Sequence, residues 1–310
     1  MGELFNREGA SDLRQSVLNT MGRGEELAEA IVKHFDEINS FDFWEDKEIE
    51  KLLLRQKEFE ISRMGKGLDY PREFTRFTPS SSDSCKRMLF FKHLKAPKDE
   101  TQMTPQQKRW VKNSTGVHEY RQRDLLYAEK LLKNPAFKVV RIDDPDNPAR
   151  HGLPSWEKPL ETYRIVEHKG AKICVSGMMD GILEYKDGSK IGFEFKTKSN
   201  SVADIKALKA PAPSHKKQCI AYSILFGIDE FVITYESVAK DKWGKGILAR
   251  DDMKAFYIKV TERQRKQLLD KWTEVDENVQ TGELPDGDTT KCLFCPFKEV
   301  CGTYSGGIAK

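Results

Sequence analysis

The sequence predicts an α/β fold, a mixed central sheet flanked by helices, preceded by a helical N-terminal extension. Three observations carry that prediction. Residues 172–176, 182–185 and 191–195 read as successive strands, and the Asp187-Gly188 pair between the last two is a hairpin turn signal. A helical stretch follows from Ser214, a plausible N-cap, to about Phe226, where Gly227 is a stop signal. The first 75 residues are charged and helix-rich.

Taken in order, the elements begin with an amphipathic run over residues 45–64, whose Ile49, Leu52, Leu53 and Phe59 suit packing against a core or a partner. Residues 78–94 read as a capped helix carrying Cys85, and another helix opens at Thr115-Gly116-Val117-His118 and runs through Leu132. The stretch 143–159, rich in Pro, Asp and Asn, is expected to be a surface loop. Residues 200–213 form an irregular segment with room for a short helix. Strands follow at 231–235 and 255–258, then a polar helix over 261–280. No internal repeat or low-complexity tract interrupts the chain.

The chemistry centres on Asp180, Glu194 and Lys196. Residues two apart on a strand share a face, so Glu194 and Lys196 point the same way. Asp180 begins the partner strand of the hairpin, and antiparallel pairing brings the three side chains together. Two carboxylates with open positions suit Mg²⁺ or Mn²⁺, and an ammonium beside them can orient a water or neutralise developing charge. That inventory fits metal-assisted hydrolysis of a phosphodiester. The plain alternative is an exposed hairpin face laced with salt bridges.

Two distant features fit the same site. His118, placed near a helix N-terminus just after a glycine, can project its imidazole towards a metal. Gln218 and Tyr222 stand four apart on one helix face, with His215 on the same stripe, while Ile220, Ile224 and Leu225 face the core. Lysines also gather here: Lys196, Lys198, Lys206, Lys209, Lys216 and Lys217, which with Lys86 and Arg87 form a candidate phosphate-binding groove.

Three cysteines, Cys292, Cys295 and Cys301, fall within ten residues near the C-terminus, and Cys85 stands far upstream. Four thiolates suit either zinc or an iron–sulfur cluster, and spacing does not separate the two. Cys85 falls near a helix start, where the dipole favours negative sulfur. Cys174 and Cys219 are assigned to core packing. No signal peptide or membrane-length apolar stretch appears in the sequence, so a cytoplasmic location is expected, no membrane is involved, and disulfides are not anticipated.

The order Gly116-x-His118, Gly177-x-x-Asp180, Glu194-x-Lys196, Gln218-x-x-x-Tyr222 resembles the RecB-type branch of the PD-(D/E)XK nuclease superfamily. With Cys85 upstream and the C-x2-C-P-x4-C cluster after the core, it resembles the iron–sulfur nucleases of the CRISPR-associated and AddB types. The resemblance spans about Thr78 to Tyr304. It implies a restriction-endonuclease-like nuclease domain over 78–310 with a C-terminal cysteine segment, and leaves 1–77 as an extension. By the resemblance, His118, Asp180, Glu194 and the Phe195 carbonyl hold Mn²⁺ or Mg²⁺, and Lys196, Gln218 and Tyr222 act in catalysis. Cys85, Cys292, Cys295 and Cys301 hold a [4Fe–4S] cluster.

The substrate implied is DNA, as single strands or ends, degraded 5′→3′. The setting would be recombination, end processing or phage DNA metabolism, with a helicase or recombination protein as partner, since no GxxxxGK[ST] P-loop stands in the chain. Alternatives are a vestigial DNA-binding subunit, a spacer-processing nuclease of CRISPR adaptation, and a zinc-stabilised structural partner. Composition bounds these readings loosely: 310 residues at 38% hydrophobic content can bury a sizeable core, and a net charge of +3 by itself says little about nucleic acid.

Overall fold

A computed structural model describes residues 22–42, 45–100, 103–198, 201–240 and 251–303. Residues 1–21 of the expected extension, Asn200 and Tyr304 lie outside the described residues. Helices α1 (Arg23–Ile38) and α2 (Lys47–Ser62) come first, then β1 (Thr75–Phe77), a 3₁₀ turn (Pro79–Ser81), α3 (Lys86–His93) and α4 (Pro105–Leu131). Next are β2 (Phe137–Val139), the short α5 (Glu157–Leu160), β3 (Thr162–His168), β4 (Ala171–Gly177), β5 (Gly181–Tyr185) and β6 (Lys190–Lys198). The chain continues through α6 (Val202–Ala207), α7 (Pro213–Phe226), β7 (Glu230–Ser237), β8 (Met253–Lys259), α8 (Glu262–Thr281) and α9 (Lys298–Thr303).

The α/β arrangement is the one the sequence predicts, but the ladders form two sheets. A five-stranded mixed sheet has the order β2-β5-β6-β7-β8, and a three-stranded one the order β1-β4-β3. The β5–β6 hairpin pairs Gly181 with Phe193 and Glu184 with Lys190, and β6 then runs parallel to β7. Strand β6 is therefore interior, and its run Ile191–Phe195 is buried on both faces. Glu194 is the one charge in that run.

The N-terminal helix belongs to the core. Leu27, Ile31, Phe35 and Ile38 form one buried stripe of α1, and they share a hydrophobic cluster with Phe193, Phe195, Val232 and Met253 of the five-stranded sheet. The Phe35 ring lies 6.1 Å from Phe193 and 6.5 Å from Phe195, measured between centroids. A second cluster joins Phe77, Ile173 and Val175 to Leu225 of α7 and Trp272 of α8. Cys174 and Cys219 are both buried, as expected.

Four local expectations change. The 78–94 stretch is helical only over α3, with Cys85 as its N-cap, because the Pro79 turn precedes it. Helix α4 starts ten residues ahead of Thr115, at a Thr104–Gln107 capping box with Pro105 in the first turn, so His118 sits in mid-helix. Helix α7 begins at Pro213, with Ala212 rather than Ser214 as N-cap, while Gly227 closes it in the left-handed conformation as expected. The 143–159 stretch is not all surface: Leu153, Ser155 and Trp156 are buried. Its backbone explains this, since the Ile182 amide donates to Ser155 O at 2.9 Å and the loop lies along β5. Among the described residues no helix is long and apolar enough to cross a membrane.

His34 of α1 is 1% exposed, packs edge-on to Phe137 at 5.8 Å, and neither ring nitrogen has a hydrogen-bond partner. Burial pushes its pKa down to about 4. Between about 4 and the unfolded value near 6.5 the unfolded chain binds the extra proton. Stability is thus complete above that window and falls as pH drops through it, by on the order of 3 kcal/mol for this group. His93, also pushed down to about 4 by burial, adds to it with the same sign. Urea midpoints at pH 7 and pH 4.5 should differ less in His34→Leu than in wild type; an identical pH response would remove His34 from the account.

Candidate metal centre and active site

The site forms where the chain passes from one sheet to the other. Strand β4 ends at Gly177 and β5 starts at Gly181, so Met178–Asp180 bridges the two sheets. A Cβ on Gly177 would stand 2.8 Å from Pro79 Cδ, which reserves the position for glycine. Asp180 emerges just past this contact. Its Oδ2 accepts the Phe195 amide at 2.7 Å, and its backbone carbonyl accepts Gln122 Nε2 at 3.0 Å. These bonds fix Asp180 against β6, beside Glu194, as the hairpin register predicts.

Helix α4 brings in His118, on the same face as Gln122 four residues later. His118 Nδ1 lies 3.8 Å from Asp180 Oδ2, and the ring packs edge-to-face on Phe195 at 5.1 Å. The helix is clamped to the sheet one turn on. Arg121 donates to both carboxylate oxygens of the buried Glu236 on β7, at 2.7 and 3.0 Å, and also to Asp124. Burial alone would raise the Glu236 pKa, but the Arg121 and Lys240 hydrogen bonds and charges hold it below the usual range. Ser114 and Thr197 hydrogen-bond through their hydroxyls at 2.6 Å and tie the preceding turn to the end of β6.

The sequence reading missed Glu157. His118, Glu157 and Asp180 each offer a ligand atom within 4.8 Å of the others, and Glu194 stands beside this group of three rather than within it. Glu157 reaches the site by a non-local route. Its amide donates to Met179 O at 2.9 Å, and its backbone takes φ = 44°, a left-handed conformation unusual for a residue with a side chain. The preceding Trp156 is fully buried and its indole N–H donates to Gln56 Oε1 of α2 at 2.8 Å. A tryptophan inside a polar, proline-rich stretch is the one sequence signal that this loop folds inward.

Three acids crowd one buried spot. Burial, then the Asp180 and Glu194 charges, push the Glu157 pKa well above the carboxylate range. Burial raises Asp180, and burial with the neighbouring Asp180 raises Glu194. Burial works to lower Lys196, but Glu194 and Asp180 outweigh it, and its pKa is raised; it therefore stays an ammonium. Lys196 donates to Glu194 Oε1, while Glu194 Oε2 is buried with no hydrogen-bond partner. Burial, followed by Lys196, lowers His118 and leaves its imidazole neutral.

Of the other expected residues, Gln218 Nε2 donates to the Tyr222 hydroxyl at 2.7 Å, and Tyr222 is buried within electrostatic reach of Glu194 and Asp180. His215 hydrogen-bonds the Tyr235 hydroxyl at 2.7 Å, and the Lys198 ammonium lies 5.5 Å from the centre of the Tyr235 ring. The Phe195 amide donates to Asp180 Oδ2 at 2.7 Å. Three of the expected phosphate-binding cations are engaged elsewhere. Lys86 pairs with Glu274, Lys217 with Asp83 at 2.7 Å, and Arg87 donates to Pro285 O at 2.8 Å. Lys216 is half-buried on α7.

Cys85, Cys292, Cys295 and Cys301 gather at the C-terminal segment. Asp288 N donates to Cys85 Sγ at 3.2 Å, and Arg87 Nη1 lies 3.8 Å from Cys301 Sγ. Burial pushes the Cys295 thiol up, with Cys292, Cys85 and Cys301 all adding to the effect. All four are free thiols.

No family model and no curated protein matches the chain. Solved structures similar to it include SSO0001, at TM-score 0.43 and 15% identity over 83% of this chain and 98% of that one. An alkaline exonuclease (LHK-Exo) from Laribacter hongkongensis gives 0.40 and 11% over 72% and 94%. Scheffersomyces stipitis Rai1 gives 0.26 and 13% over 76% and 68%. Likeness this distant decides nothing about activity, and the functional reading rests on the side chains.

Crowded carboxylates repel one another, so neutralising one should stabilise the metal-free protein. Glu157→Gln is expected to raise the melting temperature in chelator by about 2 °C, the equivalent of roughly 1 kcal/mol in a chain of this size. Saturating Mn²⁺ should stabilise wild type by about 2.7 kcal/mol at a hundredfold excess over the dissociation constant, and the variant clearly less. A wild type whose melting is indifferent to Mn²⁺ would end the metal-centre assignment.

Proposed function

We propose that this protein is a metal-dependent nuclease that hydrolyses DNA phosphodiester bonds, acting on single strands or ends as an exonuclease. What supports the reading is the unpaired, buried Glu194 Oε2 beside a converging imidazole and two further carboxylates. A carboxylate oxygen removed from water with no partner is costly, and a divalent cation is the group that offsets it. The donor set of one nitrogen and several oxygens suits Mn²⁺ or Mg²⁺. His118, Asp180 and Glu157 would hold the ion, with Glu194 and the Phe195 carbonyl completing its surroundings. Residues 78–310 form the nuclease unit in this reading, with α1 and α2 closing its core.

When bound, the metal supplies an acidified water and a positive charge against the phosphate oxygens. The protein's residues do the rest. Lys196, held charged by Glu194 and Asp180, offers N–H bonds to the attacking water and to the phosphate oxygens as negative charge develops. Water oxygen bonds to phosphorus as the bridging P–O bond breaks; the proton the water loses passes to solvent, and the leaving oxygen takes one from solvent. Gln218 locks the buried Tyr222 hydroxyl in place, and the pair backs the acidic site that Lys196 serves. Arg121 keeps α4, and with it His118, seated on β7.

The four cysteines serve a structural metal group in the same proposal, a [4Fe–4S] cluster, with zinc as the other ion four thiolates take. The surrounding Arg87 and Lys271 favour an anionic group there, since Lys271, lowered to about 8 by burial and by Lys217, feels Cys85 as an opposing charge.

With 5′-labelled single-stranded DNA and Mn²⁺, wild type should shorten the strand, and Lys196→Ala and Asp180→Ala should each lose at least about a hundredfold in rate. Undiminished cleavage by Lys196→Ala sinks the site assignment. Cys292→Ser and Cys295→Ser should cost solubility and several degrees of melting temperature before they cost chemistry. Equal stability with and without these thiols, in protein lacking broad visible absorbance, would remove the cluster.

A further inference from the structure

A cleft of about 1140 Å³ opens over the metal centre, walled by α2 and its exit on one side and by α4 on the other. His118, Gln122, Trp156 and Glu157 form its floor. Its size exceeds the roughly 300–1,000 Å³ of pockets for small molecules, which fits a segment of polymer. The walls carry side chains that the fold leaves unused. Trp110 and Tyr120 of α4 are 38% and 68% exposed, and Met64 at the exit of α2 is 70% exposed. Leu54, Val111 and Met178 are exposed beside them.

Charges of both signs line the cleft, and the acids Glu50 and Glu60 are answered by Arg123 and Lys57. Arg63 and Lys66 line the α2 side, and neither carries an ion pair among the described residues. On α4, Trp110, Ser114 and His118 recur at helical spacing along one stripe that descends to the metal centre. Alternating aromatic faces and cations are what an unpaired nucleic-acid strand needs: a surface for bases to stack on and charge for its phosphates. A duplex hides its base faces and gains nothing from Trp110.

We propose that this cleft is the single-strand subsite of the enzyme, with Trp110 stacking on an unpaired base and Arg63 and Lys66 meeting the phosphates. The proposal rests on the nuclease reading and assigns that site its substrate form. Trp110 precedes His118 by eight residues, about 12 Å along the helix axis. That distance spans about three stacked nucleotides at 3.4 Å rise, so the base on Trp110 lies a few nucleotides from the phosphate being cut. Helix α2, outside the region of family resemblance, thereby gains a role in substrate choice. It also sets the floor, because Gln56 on α2 holds Trp156 next to Glu157.

The test is fluorescence anisotropy of a labelled oligothymidylate and of a blunt duplex, without divalent metal, for wild type, Trp110→Ala and Trp110→Phe, with circular dichroism confirming the fold. Trp110→Ala should weaken single-strand binding about tenfold or more, as loss of one base–aromatic stack does. Trp110→Phe should recover most of it, and duplex affinity should stay within about twofold. Unchanged single-strand affinity in Trp110→Ala overturns the proposal, and so does an equal loss for strand and duplex. A wild-type dimer by light scattering that Trp110→Ala dissociates would also overturn it, making the rim a contact between copies. Failure of the nuclease reading is seen separately: no cleavage with any divalent metal, while binding still depends on Trp110, retires the chemistry and keeps the cleft.

Discussion

Negative charge held at one buried point is the constraint the rest of this structure answers to. Asp180, Glu194 and Glu157 meet where two sheets join, and folding takes all three out of water. Lys196 answers one oxygen of Glu194, and the Phe195 amide answers one of Asp180. Gln122 reaches Glu157 by a side-chain hydrogen bond, and Glu194 Oε2 is left without a partner. Mutual repulsion of this kind is destabilising unless a cation joins the group, so the fold has to be braced around it. The bracing is visible in the Arg121–Glu236 fork beneath His118, and in the Gly177–Pro79 contact that sets the sheet junction. It is visible also in the buried stripe of α1 behind Phe193 and Phe195.

How much of this is legible in sequence depends on how local each cause is. Asp180, Glu194 and Lys196 are readable because a two-residue strand period and an Asp-Gly turn fix the register between them. Gln218 and Tyr222 are readable because four residues are one helix turn, and their hydrogen bond follows. Glu157 is not, because its position depends on backbone bonds from Glu157 to Met179 and from Ile182 to Ser155, which no spacing in the chain announces. The start of α4 is a different case. Its capping box at Thr104 and Gln107 is local, but Gly116 reads as a helix opening, and tertiary packing overrides that glycine's propensity. The division of the strands into two sheets is also beyond the pattern, since alternation reports which face is buried and not which neighbour is paired.

The N-terminal helices show why a boundary drawn from motifs differs from one drawn from packing. Motifs mark where reacting groups sit, and the first 75 residues carry none. Their apolar stripe, however, covers one side of the interior strand that bears Glu194 and Lys196. Glu50 of α2 accepts from Arg123 and from the Tyr127 hydroxyl at 2.7 Å, and Lys130 pairs with Asp46 at 2.8 Å. Helix α2 is thus stitched to α4 by polar contacts as well as packing Ile49, Leu52 and Leu53 on the core, and α1 joins its apolar stripe with Arg23 and Glu26 contacts to the sheet. Polar, partly exposed contacts are the weaker kind.

The cysteine segment makes the opposite case, a region with too little core of its own. Its apolar anchor is Phe90, Phe91 and Phe297, with Cys295 and Cys301 packed alongside. Much of what else holds it is electrostatic: Asp83 joins Lys291 of the segment to Lys217 of α7, and Asp99 accepts the amides of Lys298 and Glu299. Lys271 binds the carbonyls of Ser82 and Ser84 just ahead of Cys85. A few apolar side chains and partly exposed ion pairs are a small return for ordering some twenty residues at roughly 1–2 kcal/mol each. A metal group bridging Cys85 to the three later thiolates would contribute what that core lacks. Because Asp83 touches both the segment and α7, a loss of order there would reach Gln218, the neighbour of Lys217, before it reached Asp180 and Glu194.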